Sequence, residues 1–151
     1  ISGLKENMPV ISYSEGKKAL VGKIIEVTPF YSKVMTLNNP KFSVGAIILK
    51  NRVHCIVNGD NLKSDIVKLL YIPKQYSISS EGIEYIYTSG DSLIYPKGLE
   101  IGKIISLKQS ERYENFNEAE VKISIELSKL EYVLVLKIDI DKDNFLDLES
   151  F

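Results

Sequence analysis

Tryptophan is absent from the 151 residues, and histidine and cysteine occur once each, as His54 and Cys55. A single cysteine closes no intramolecular disulfide and does not by itself separate cytoplasm from periplasm. One histidine and one cysteine cannot form the usual four-ligand zinc set. Also lacking is any apolar run near the roughly 20 residues that span a bilayer, or a signal-peptide pattern near Ile1. Because the chain opens on Ile rather than Met, it reads as a trimmed piece, which leaves room for a membrane anchor upstream in its parent. Neither charge sign is in excess: 19 Lys and Arg stand against 20 Asp and Glu, for a net charge of −1. Without a basic stripe, nucleic acid is a poor partner.

What is present is strand signal. With 44% hydrophobic residues, the chain has enough apolar matter for a core. Val121 to Leu127 alternates strictly between apolar and polar, the mark of a half-buried strand. Similar β-branched or aromatic runs cover 8–11, 19–27, 34–37, 44–49, 53–57, 83–88, 99–107 and 132–138. Breakers separate them, among them Pro29, Asn38-Asn39-Pro40, Asn58-Gly59, Pro73, Gly82 and Gly90-Asp91. Asn58-Gly59 predicts a two-residue hairpin turn, since both residues tolerate positive φ. Residues 63–70 fit a helix or a strand. Gly22-Lys23-Ile24-Ile25 recurs as Gly102-Lys103-Ile104-Ile105. This echo is either chance between short strings or a sign of two related sheets. Strands at this spacing, with glycines inside them, predict an all-β fold of two small β-barrels.

Two blocks carry a family resemblance. Tyr87-Thr88-Ser89-Gly90 followed by Tyr95-Pro96-Lys97-Gly98-Leu99-Glu100-Ile101-Gly102 is one, and Asn7-Met8-Pro9-Val10-Ile11 followed by Leu20-Val21-Gly22 is the other. Together, in this order, they resemble the rod shape-determining MreC family. A weaker third block runs from Phe116 to Val135. Ile83-Glu84 departs from the family's frequent Gly-Asp at the matching turn. The resemblance implies a double-barrel scaffold on the extracytoplasmic, periplasmic face of the bacterial cytoplasmic membrane, with no catalysis and no cofactor. It also implies partners: the elongation-specific penicillin-binding transpeptidase, other shape-determining proteins and further copies of itself. The expected division is 1–38 for a first, incomplete barrel to which C-terminal strands return, 39–138 for the second barrel, and 139–151 for an acidic tail. Gly22, Thr88, Ser89, Gly90, Pro96, Gly98 and Gly102 are read as fold determinants.

Chemical alternatives are weaker on the residues alone. His54 and Cys55 are neighbours in a strand and so face opposite ways, which prevents a local Cys-His pair. Ser89 lies in no Gly-x-Ser-x-Gly elbow. A degenerate chymotrypsin-like hydrolase therefore requires His54, Ser89 and an Asp to meet in space. Asp139, Asp141 and Asp143 have the first spacing of a calcium loop, but Asn144 and Ser150 stand where its Gly and Glu belong. A cell-wall carbohydrate-binding module would need an exposed aromatic platform. Phe30, Tyr31, Tyr113 and Phe116, all expected in loops, are the candidate partner contacts. Tyr87, Tyr95 and the run Tyr132 to Leu136 are read first as core.

Overall fold

The computed structural model describes residues 3–76, 84–130 and 132–137. The expectations for Gly82, Ile83 and residues 138–151, including the acidic tail and its calcium-like spacing, fall outside that range. The strands are β1 (Pro9–Ser14), β2 (Lys17–Val27), β3 (Ser32–Thr36), β4 (Ser43–Ile48), β5 (Val53–Asn58), β6 (Ile66–Pro73), β7 (Tyr85–Thr88), β8 (Glu100–Gln109), β9 (Phe116–Ile123) and β10 (Leu134–Val135). Among the described residues, the helical content is one 3-10 turn at Leu127–Lys129. No helix there is long and apolar enough to cross a membrane.

The larger unit is a closed barrel. Its strands run β4, β5, β6, β9, β8, β7 and back to β4, each pair antiparallel. Alternation supplies its lining: Val67, Leu69, Ile86, Ile101, Ala119 and Val121 point inward and are buried. Phe42 enters from the loop before β4 and meets buried Tyr95 edge-on, with ring centroids 6.0 Å apart. The smaller unit is an antiparallel ribbon ordered β10, β1, β2, β3, joined to the barrel by the parallel pair Ala19↔Glu100. It stays open among the described residues, because β3 and β10 have one strand neighbour each.

The Gly-Lys-Ile-Ile echo is matched in three dimensions. Gly22 pairs with Val10 on one side and Thr36 on the other; Gly102 pairs with Ile86 and Ile123. Ile24 N donates to Met8 O at 3.0 Å, and Ile104 N donates to Glu84 O at 2.9 Å. Register then slips between Ile24 and Glu26, and again between Ile104 and Ser106. β1–β2–β3 and β7–β8–β9 are thus the same three-stranded meander built twice. A Cβ on Gly22 would collide with the Met35 carbonyl, and one on Gly102 with the Lys122 carbonyl, so both glycines mark where neighbouring backbones touch.

Long-range contacts correct two local expectations and decide one open reading. The chain does not reverse at Asn58-Gly59: residues 59–65 form a loop to β6, Gly59 N donates to Phe42 O at 3.1 Å, and a Cβ on Gly59 would strike the Asn39 backbone. The buried Asn38 amide fixes this loop by donating to Leu62 O at 3.0 Å and Ser64 O at 2.9 Å. The ambiguous stretch 63–70 leads into β6, where cross-strand partners on both sides settle it as strand. The apolar run from Tyr132 to Leu136 is not a central strand. Only Leu134–Val135 pairs, at the edge against β1, and Tyr132 is 87% exposed.

Candidate functional site

The segment Thr88 to Gly98 runs between β7 and β8. Thr88 is fully buried, and its hydroxyl donates to Pro96 O at 2.7 Å while accepting from Leu99 N at 2.9 Å. Gly98 N donates to Thr88 O at 3.0 Å from a left-handed φ of +93° that disfavours a side chain. Gly90 turns the chain so tightly that a Cβ there would press on Lys97. Ser89 is buried, with its backbone N bonded to Gly45 O at 3.1 Å and its hydroxyl accepting from Asp91 N at 3.3 Å. Thr88, Ser89, Gly90, Pro96 and Gly98 thus share one loop, whereas Gly22 and Gly102 line the sheet contacts described above.

Asp91, which the sequence reading passed over, lies between the two residues weighed for hydrolysis. His54 Nδ1 is 3.1 Å from Asp91 Oδ2. Hydrogen bonds from Ser89 first, and then from His54, hold the Asp91 carboxyl below its ordinary value. The order Ser89, Asp91, His54 is the wrong one for acyl transfer. A general base must take the proton from the hydroxyl, so the imidazole belongs in the middle. Cys55 points the other way, into the barrel, at 5% exposure. Burial pushes its thiol up to about 12. The thiol should therefore resist iodoacetamide in the folded protein at neutral pH and label stoichiometrically in denaturant. Fast labelling of the native state, read by mass spectrometry, would contradict this packing.

Phe30, Tyr31 and Tyr113 occupy the tips of equivalent hairpins. At the β2–β3 tip, Thr28 Oγ1 accepts from Phe30 N at 3.2 Å and Tyr31 N at 3.0 Å. At the β8–β9 tip, Ser110 Oγ accepts from Arg112 N at 3.2 Å and Tyr113 N at 3.1 Å. The same hydroxyl-capped turn presents a tyrosine three residues on in each repeat. Their surroundings differ. Phe30 stands 93% exposed. Tyr113 instead folds back on Tyr71, centroids 5.4 Å apart, and Tyr71 meets Phe116 edge-on at 5.6 Å. Phe116 is no loop residue: it opens β9 opposite Pro73 and is half-buried. Beside this cluster lies a cleft of about 590 Å³.

The family description "Rod shape-determining protein MreC, barrel core" matches residues 1–137. The chain belongs to the MreC family. MreC from Pseudomonas aeruginosa is similar, with a TM-score of 0.72 at 20% identity over 89% of this chain and 81% of that one. MreC from Listeria monocytogenes gives 0.77 at 25% identity, over 89% of this chain and 62% of that one. A complex between the penicillin-binding protein PBP2 and MreC from Helicobacter pylori gives 0.66 at 18% identity, over 89% and 81%. No curated protein sequence matches significantly. The two motif blocks first read as MreC-like fall at corresponding places in the two meanders, β1–β2 and β7–β8, so the MreC resemblance rested on the strands that repeat. Thr28 and Ser110 carried a weak signal, a hydroxyl residue three positions before a tyrosine. Tyr71 carried none, because its role depends on a bulge in β6.

Proposed function

We propose that this MreC-family chain is a non-catalytic, extracytoplasmic scaffold of the bacterial cell-elongation machinery, organising peptidoglycan synthesis and rod shape by holding other proteins. The observation that carries this reading is the barrel core of a family in which a complex with a penicillin-binding protein exists. Residues 1–38 with the returning β10 act as one unit, and the closed barrel acts as the other. Of the four candidate aromatics, Phe30 and Tyr31 are the free contacts, since Tyr113 and Phe116 are engaged with Tyr71. An exposed ring supplies contact area at small entropic cost. Further shape-determining proteins and other copies of the chain complete the expected partners.

The test is binding to the ectodomain of the cognate elongation transpeptidase, measured by biolayer interferometry. Saturable binding that weakens about tenfold in a Phe30→Ser, Tyr31→Ser double variant is the expected result. No binding by the parent protein at high micromolar concentration would overturn it. The hydrolase alternative has its own readout: a broad peptide and ester panel should show no turnover, and turnover lost in His54→Ala or Ser89→Ala would reverse the non-catalytic reading.

A further inference from the structure

The cleft beside the Tyr71 cluster is lined mostly by polar and charged side chains. Its walls carry Lys68, Lys108, Arg112, Glu111 and Glu118, alongside Asn58 and Ser110. Part of this charge has a neighbouring group that answers it. Lys68 Nζ lies 3.6 Å from Asp60, the Ser110 hydroxyl donates to Glu118 at 3.0 Å, and Lys108 stands directly across from Glu118 in the strand register. A site whose charges are balanced this way gives little advantage to a strongly charged ligand. It does offer many donors and acceptors at fixed positions.

The aromatic wall is built at a backbone cost. Register slips between Leu69 and Ile72, and Tyr71 adopts a φ of +65°, a left-handed conformation that is rare for a bulky residue. This bulge turns the Tyr71 ring out of the ladder and onto Tyr113 and Phe116. Tyr113 keeps 43% exposure, so much of a ring already held in place faces the cleft. A pyranose has an apolar C–H face that stacks on such a ring and a rim of hydroxyls that suits Asn, Ser, Arg and Glu side chains.

We infer that the cleft between β6 and the β8–β9 tip binds an uncharged pyranose sugar, with Tyr113 as the stacking ring and the Arg112 guanidinium and Lys108 ammonium donating to its hydroxyls. Glycan engagement would be a second activity of the chain, separate from its grip on proteins.

The test uses the protein's own tyrosine fluorescence, clean because tryptophan is absent, with nuclear magnetic resonance line shifts as a second readout. Chitohexaose, cellohexaose and heparin serve as probes. Saturable binding of a neutral hexaose is expected in the millimolar range or tighter, with affinity reduced about tenfold by Tyr113→Ala and by Arg112→Ala. Phe30→Ser should bind like the parent. Preference for chitohexaose over cellohexaose would place an acetamido group in the site; equal binding would make the bare pyranose sufficient. Circular dichroism checks each variant, and Arg112→Ala, at an exposed position, carries the test if Tyr113→Ala unfolds. No saturation by either neutral hexaose, tighter binding of heparin, or unchanged affinity in both variants would overturn the inference. So would a Tyr113→Ala loss confined to transpeptidase binding, which would make the cleft a protein contact.

Discussion

Gly102→Ala is expected to destabilise the protein by about 3 kcal/mol, at the upper end of what overpacking produces. The added methyl would meet the Lys122 carbonyl and the Ile123 Cα, both backbone atoms of β9, and neither can step aside without parting the strands. Gly102 pairs with Ile86 of β7 and Ile123 of β9, so the collision falls where β8 holds the closed barrel together. With total stability for a domain this size of about 5–15 kcal/mol, the loss should lower the melting temperature by roughly 10 °C. Gly16→Ala is the control. It lies in the β1–β2 turn with no neighbour within 4 Å, so only its φ of +79° is penalised, by about 1–2 kcal/mol. Equal melting temperatures for the two variants would mean that the close approach at Gly102 has no energetic weight.

Thr88→Val should cost about 2–4 kcal/mol although it keeps shape and volume. The hydroxyl is the donor to Pro96 O and the acceptor for Leu99 N, and its removal strands both groups in a buried loop. Each unsatisfied partner costs about 1–3 kcal/mol. Thr88→Ser keeps the hydroxyl and loses one methyl, so it should cost only about 1 kcal/mol. Urea titration separates the outcomes: the midpoint should fall much further for valine than for serine while the slope stays constant. A valine variant as stable as the parent would show that the loop holds without this hydroxyl.

These two positions also show how far the sequence could be read. The pattern Thr-Ser-Gly, then aromatic-Pro-x-Gly, marked Thr88, Gly90, Pro96 and Gly98 as structural, and the turn chemistry of glycine and proline is local enough to be read so. What the Thr88 hydroxyl touches was not legible, since Pro96 and Leu99 meet it only after the loop folds back. The placement of Asp91 is hidden in the sequence for the same reason. Its neighbour His54 lies in β5, 37 positions earlier, and β4 with its β7 pairing brings the two together. At Asn58-Gly59 a sound local rule lost to tertiary contact, because Gly59 is small where it must pass the Asn39 backbone rather than where a turn needs positive φ. The Tyr132 to Leu136 run misled in the opposite direction: hydrophobicity without a second neighbouring strand leaves an apolar edge.

Alternation with period 2 and frequent breakers are properties of neighbouring residues, and they determined an all-β chain before any pairing was known. Which strands pair, which unit closes, the order in which Ser89, Asp91 and His54 meet, and the turning of Tyr71 onto Tyr113 were decided by contacts between distant segments. A strand's own sequence says which face is apolar; only its partners, fixed by closure of the barrel, say what that face meets.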